Sequence, residues 1–204
     1  MTAPPRHGVV LLAAGGSKRL GQAKQLLALG GETLVHRAAR LALATSPGDA
    51  VLVLGAHADA VLAGVATLAL RPVRCADWER GMGASLRAGL AALSPGCAGA
   101  LVLLCDQPDL EAAHLHALVE AWRTDPARAA ASAYAGVLGV PALLPRPWFA
   151  DLAALDGDRG ARDLLRQRAA DVHALPCAPL ARDIDVPADL HARASRLGPV
   201  NGQE

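Results

Sequence analysis

Residues Gly8 to Ala13 form an unbroken apolar run that ends in Ala14-Gly15-Gly16. A strand apolar at every position has both faces buried, as happens in a parallel sheet covered by helices on both sides. Ala50 to Leu54, Pro72 to Cys75 and Ala100 to Leu104 read as further strands. Between them, Leu34 to Ala44, His57 to Leu68, Ser85 to Leu93 and Glu111 to Arg123 carry helical patterns. In the last of these, Leu115, Leu118, Val119 and Trp122 fall on one stripe. Such alternation predicts an α/β domain, a three-layer αβα Rossmann-like sheet with its ligands at the carboxyl ends of the strands. The C-terminal third is less regular. Ala129 to Ala133, Val140 to Leu144 and Val172 to Leu175 are expected to be strands, and Ala161 to Ala170 a helix.

Composition narrows the function. The chain has 204 residues, 52% of them apolar, enough for one large core. Trp78, Trp122, Trp148, Tyr134 and Phe149 are its only aromatics, and its formal charge is +1. So few aromatics lean away from base-stacking platforms, and nothing in the net charge suggests a polyanion partner. Cys75, Cys97, Cys105 and Cys177 stand in no CxxC or Cys/His zinc spacing, and read as buried, reduced thiols. The histidines show no ligand spacing either. Met1 to Arg6 lacks a secretion signal's basic head and apolar core, and Gly8 to Ala14 is too short to cross a bilayer. A soluble, cytoplasmic protein without membrane association is expected.

The segment from Leu12 to Lys24 reads Leu-Ala-Ala-Gly-Gly-Ser-Lys-Arg-Leu-Gly-Gln-Ala-Lys. It leaves a buried strand through two glycines, then supplies Lys18, Arg19, a third glycine and Lys24. Glycines let backbone N–H groups approach a phosphate, Arg19 can fork onto its oxygens, and Lys24 can act as a point charge. A tight turn with solvated charges is the plain alternative. The loop is not a Walker loop, because Gln22 rather than Lys follows Gly21, and it contains no GxGxxG dinucleotide pattern. Asp106 directly follows the strand Ala100 to Leu104 and Cys105. It could reach the crevice at the strand ends, or cap the helix beyond Pro108.

This loop resembles the signature of nucleotidyltransferases with a glycosyltransferase-A-like fold, and in particular the molybdenum cofactor cytidylyltransferases among the MobA-like NTP transferases. Four later segments are similar to the same branch, in the same order: Asp77 to Gly89, Cys105-Asp106-Gln107-Pro108, Gly157 to Arg162, and Asp183 to Leu190. The resemblance implies one nucleotidyltransferase domain over residues 1–196; the tail over 197–204 is expected to be frayed, as chain ends commonly are. It implies transfer of CMP from CTP to the phosphate of molybdopterin, releasing pyrophosphate, with delivery to a molybdoenzyme or its maturation chaperone. Leu12, Ala13, Ala14, Gly15, Gly16, Ser17, Lys18, Arg19, Lys24 and Ser85 would bind the nucleotide, and Ala14 marks the pyrimidine branch. Lys24, Arg19 and Asp106 would be catalytic. Asp106 and Asp185 would hold Mg²⁺, or Mn²⁺ in its place, while Asp183 and Asp189 are competing carboxylates.

Asp158 and Arg162 either pair across a helix start or shape the acceptor side. The chain departs from the branch at Val140, where a Gly-His-Pro-like segment is usual, and at Cys75, where Asn is common. Competing functions are a transferase for another base or acceptor, including GTP, a sugar phosphate or an alcohol phosphate; a non-catalytic nucleotide-binding chaperone; and a nicotinamide-dependent oxidoreductase, disfavoured by the missing GxGxxG.

Overall fold

The computed structural model describes residues 4–17, 21–154, 157 and 160–181. The chain opens with β1 (His7–Ala13), a short hairpin of β2 (Ala28–Leu29) and β3 (Glu32–Thr33), and α1 (Leu34–Leu43). β4 (Asp49–Leu54), α2 (Ala58–Ala63), β5 (Arg71–Arg74) and α3 (Met82–Ala92) follow. Then come β6 (Gly99–Leu104), α4 (Ala112–Thr124), β7 (Ala129–Tyr134) and β8 (Val137–Pro145). α5 (Phe149–Ala153), α6 (Ala161–Gln167) and β9 (Val172–Pro176) complete the described elements.

Seven strands form one sheet in the order β5-β4-β1-β6-β8-β7-β9. β1 runs parallel to β4 on one side and to β6 on the other, which accounts for its apolar run: all seven of its residues are buried. Alternate side chains serve opposite layers. Val9, Leu11 and Ala13 meet the layer of α1, α2 and α4, while Val10, Leu12 and Ala14 meet that of α3, α5 and α6. Leu115, Leu118, Val119 and Trp122 are all buried, as the α4 stripe predicts.

Three expectations change in detail. The return after β4 is helical only over Ala58–Ala63, because Gly64 caps it and turns follow. The expected helix from Ala161 to Ala170 ends at Gln167 and passes into a separate 3-10 turn, Ala169–Asp171. Finally, β8 runs antiparallel to both β6 and β7, so the sheet is mixed. The two residues between β7 and β8, Ala135 and Gly136, have φ of 49° and 76°. A link that short can only reverse the chain.

Candidate active site

β1 and β6 are paired in register up to Leu12 and Leu104, so whatever follows them emerges side by side at the same edge of the sheet. After β1 comes the glycine loop; after β6 comes Asp106. Lys24 opens a single 3-10 turn, Lys24–Leu26, which brings the chain back to that edge. Its Nζ lies 2.8 Å from Asp106 Oδ2, with the two side chains only 15% and 17% exposed. The other carboxylate oxygen, Oδ1, is buried and has no hydrogen-bond partner among the described residues.

Asp106 is not a helix cap. α4 begins six residues later at Ala112, its N-cap is Glu111, and no side chain bonds that end. The loop bearing Asp106 is fixed from α1 instead: Arg37 donates from Nε to the Pro108 carbonyl at 3.2 Å and from Nη2 to the Leu110 carbonyl at 3.0 Å.

Trp78, a residue with no motif-derived role, lies across the floor of the site. A Cβ on Gly55 would stand 2.5 Å from Trp78 Cγ and 2.6 Å from the Ala14 carbonyl oxygen. A Cβ on Gly16 would stand 3.1 Å from the far edge of the same ring. Two glycines distant in sequence thus let the indole pass over the ends of β4 and β1. Next to it, Gly81, with φ of 108°, leads into α3. Ser85 is the fourth residue of α3 and is 5% exposed. The Gly157 carbonyl accepts a hydrogen bond from the Gly83 amide at 3.1 Å, so Gly157 meets the start of α3.

These parts enclose a cavity of about 470 Å³ lined by Leu12 to Ser17, Lys24, Gln25, Trp78, Glu79, Gly81, Met82, Ser85 and Leu104 to Asp106. That volume suits a small-molecule ligand. Of the sequence-derived candidates, Leu12, Ala13, Ala14, Gly15, Gly16, Ser17, Lys24, Ser85 and Asp106 come together here. Lys18, Arg19, Asp158, Asp183, Asp185 and Asp189 lie outside the described residues. Arg162 is exposed on α6. Gln25 was absent from the sequence reading, yet it is 3% exposed and holds the glycine loop. Only its position beside Lys24 could have drawn attention to it.

The chemistry on offer is electrostatic. Backbone amides and Lys24 suit an anion, and Asp106 suits a cation. Burial, and then the neighbouring Asp106 charge, push the Cys105 thiol up to about 12, so it stays protonated and is no nucleophile. No histidine lines the described part of the cavity. Among the described residues no group of three or more His, Cys, Asp or Glu side chains could hold a metal ion by itself. One buried carboxylate oxygen without a partner does fit Mg²⁺, which binds through one or two carboxylates and completes its shell with phosphate and water.

Residues 9–172 match the family described as the MobA-like NTP transferase domain. The chain is 38% identical over 187 residues to the nicotine blue oxidoreductase of Paenarthrobacter nicotinovorans, covering 87% of this chain and 90% of that protein. It is 37% identical over 166 residues to the purine catabolism protein PucB of Bacillus subtilis, covering 77% and 79%. Among solved structures, Rv0371c of Mycobacterium tuberculosis superimposes with a TM-score of 0.83 at 32% identity, covering 95% of this chain and all of that one. A manganese complex of Rv0371c superimposes with a TM-score of 0.78 at 29% identity, covering 93% and 98%.

Proposed function

The chain belongs to the MobA-like NTP transferase family and is a nucleotidyltransferase with the glycosyltransferase-A-like fold, and we propose that it transfers CMP from CTP to the phosphate monoester of a molybdopterin-type acceptor, releasing pyrophosphate. The observation that carries this reading is the Lys24–Asp106 pair, set between the glycine loop and the end of β6 inside the cavity. Together they offer one cation for phosphate oxygens and one carboxylate for a metal. Ala14 in the loop favours the pyrimidine nucleotide.

A phosphate monoester is largely dianionic near neutral pH, with its second pKa near ~6. Its oxygen can attack the α-phosphorus without a general base, consistent with the described part of the cavity wall, which holds no histidine. A bond forms from that oxygen to the α-phosphorus, and the bond from the α-phosphorus to the bridging oxygen of pyrophosphate breaks. Catalysis then depends on positioning and on neutralising charge. The glycine-loop amides and Arg19 hold the outer phosphates, Lys24 offsets charge gathering at the α-phosphoryl group, and Ser85 faces the nucleoside from α3. Asp106 would hold Mg²⁺ through Oδ1, with Asp185 as its partner, and the bound ion supplies positive charge to the triphosphate and the leaving pyrophosphate. A reaction drawing on CTP and handing its product to a molybdoenzyme or its chaperone belongs in the cytoplasm.

The test is pyrophosphate release from CTP, UTP, GTP and ATP, with Mg²⁺ or Mn²⁺, against pterin, sugar and alcohol phosphates. CTP with the pterin phosphate is expected to give the highest kcat/KM. Preference for another base or acceptor would overturn the substrate assignment. One relative bears an oxidoreductase name, so the panel includes NADH and NADPH. Their oxidation without pyrophosphate release from any nucleotide would reject the transfer mechanism.

A further inference from the structure

Gln25 is a neutral side chain buried at the wall of the cavity, directly after Lys24. Its Nε2 donates to two carbonyls of the glycine loop, that of Ala13 at 3.0 Å and that of Gly15 at 2.7 Å. The carbonyl between them, on Ala14, accepts from the Ala56 amide at 3.0 Å. Ser17, held at φ of 49°, accepts from the Lys24 amide through its hydroxyl oxygen at 3.0 Å. Three successive carbonyls at the mouth of the loop are therefore turned onto protein partners.

In a planar trans peptide the N–H points opposite to the carbonyl it shares the plane with. Among the described residues only Val140–Pro141 is cis. The Ala14 and Gly16 amides are thus both directed away from the Gln25 carboxamide, because the carbonyls of their peptide planes accept from its one NH₂ group. Two convergent acceptors also demand a group with two donors. A glutamate here would face its oxygens against carbonyl oxygens, and an apolar residue would leave both carbonyls unpaired.

Resting on the nucleotidyltransferase reading of this cavity, we propose that Gln25 is a positioning residue that sets nucleotide affinity by fixing the two loop amides toward the triphosphate. It touches the loop and not the reacting atoms. Its loss therefore weakens nucleotide binding without reducing the number of competent sites.

The experiment compares the full-length wild type with Gln25→Met and Gln25→Glu. Backbone hydrogen exchange over residues 12–17 is measured without nucleotide, and titration calorimetry is run with CTP and, separately, GTP, each with Mg²⁺. Both variants are expected to exchange faster in this loop. For Gln25→Met the Kd of the preferred nucleotide should rise about tenfold, the loss of one to two hydrogen bonds, and for Gln25→Glu further still, with the stoichiometry unchanged. A merely structural role would instead lower the stoichiometry and leave Kd in place, and that result overturns the proposal. Unchanged loop exchange in Gln25→Met overturns it too, whatever the nucleotide does. Faster exchange together with no nucleotide binding by the wild type supports the clasp and rejects the nucleotide reading instead.

Discussion

The ion pair between Lys24 and Asp106 can be weighed by a double-mutant cycle of Lys24→Met, Asp106→Asn and the two combined. An exposed pair is worth about 0–1 kcal/mol, whereas removing one partner of a buried pair costs about 3–5 kcal/mol. With side chains 15% and 17% exposed, at 2.8 Å, this pair stands nearer the buried limit, though the cavity leaves it one wet side. Each single change is therefore expected to cost about 2–3 kcal/mol. For a domain of this size, that lowers Tm by roughly 4–12 °C. The double variant removes both charges of this pair together, so it should be destabilised by much less than the sum, with a coupling of about 2 kcal/mol. Urea unfolding of all four proteins, followed by circular dichroism at fixed pH and salt, gives the coupling directly. Additivity within about 0.5 kcal/mol would refute the argument, because the two charges would then not sense each other in solution. The same proteins test catalysis separately: Asp106→Asn should lose on the order of 10² or more in kcat, whatever its stability.

Two further outcomes follow from places outside the cavity. His7 is buried, and its Nε2–H donates to Thr45 Oγ1 at 2.9 Å, since that hydroxyl itself donates to the Ala42 carbonyl. Burial, reinforced by the Arg123 charge, lowers the His7 pKa to about 4 from 6.5. The unfolded chain takes up the proton first, so this stability is complete above pH 6.5 and is lost as pH falls toward 4. Between pH 6.5 and 5 the loss should be about 1.5 kcal/mol. Burial lowers the pKa of His114 as well, so the measurement is the part of the pH dependence in urea unfolding that His7→Gln removes; an unaltered pH profile in that variant would count against the assignment. Ala135 is a non-glycine residue with φ of 49° in a two-residue turn. Ala135→Asn, better suited to that conformation, should stabilise by about 0.5–1 kcal/mol, and a lower Tm would show that the turn has a different geometry.

The parts of this fold readable from the sequence are those whose environment is uniform along the chain. β1, β4 and β6 are buried on both faces, so their apolar runs mark them directly. α4 buries one stripe, so its periodicity does. The direction of β8 was not legible, because periodicity carries no sign and Ala135-Gly136 is a weaker hairpin signal than Asn-Gly. Lys24 and Asp106 could be matched to a motif. That they touch, and that Asp106 is free of any capping duty, required the register of β1 with β6. Trp78 and Gln25 were opaque for a related reason: their significance lies in which glycines and carbonyls the fold carries to them. Lys18, Arg19 and Asp185 lie outside the described residues, and their assignments rest on the chemistry of the loop's cations and on the resemblance.

The reversal of β8 has a consequence for how a protein of this design can diversify. Because β8 runs against its neighbours, its beginning, around Val137 to Val140, comes to the same edge of the sheet as the ends of β1 and β6. It arrives there on a tight hairpin rather than on a helical crossover. A hairpin tip can gain, lose or exchange residues with little disturbance to the layers beneath it. The half of the edge that carries the glycine loop, by contrast, is anchored in β1, which is buried at every position. On the proposed reading, Val140, where the chain departs from the branch it resembles, falls on the half of the edge where a different acceptor could be accommodated while the nucleotide-binding half is left as it is.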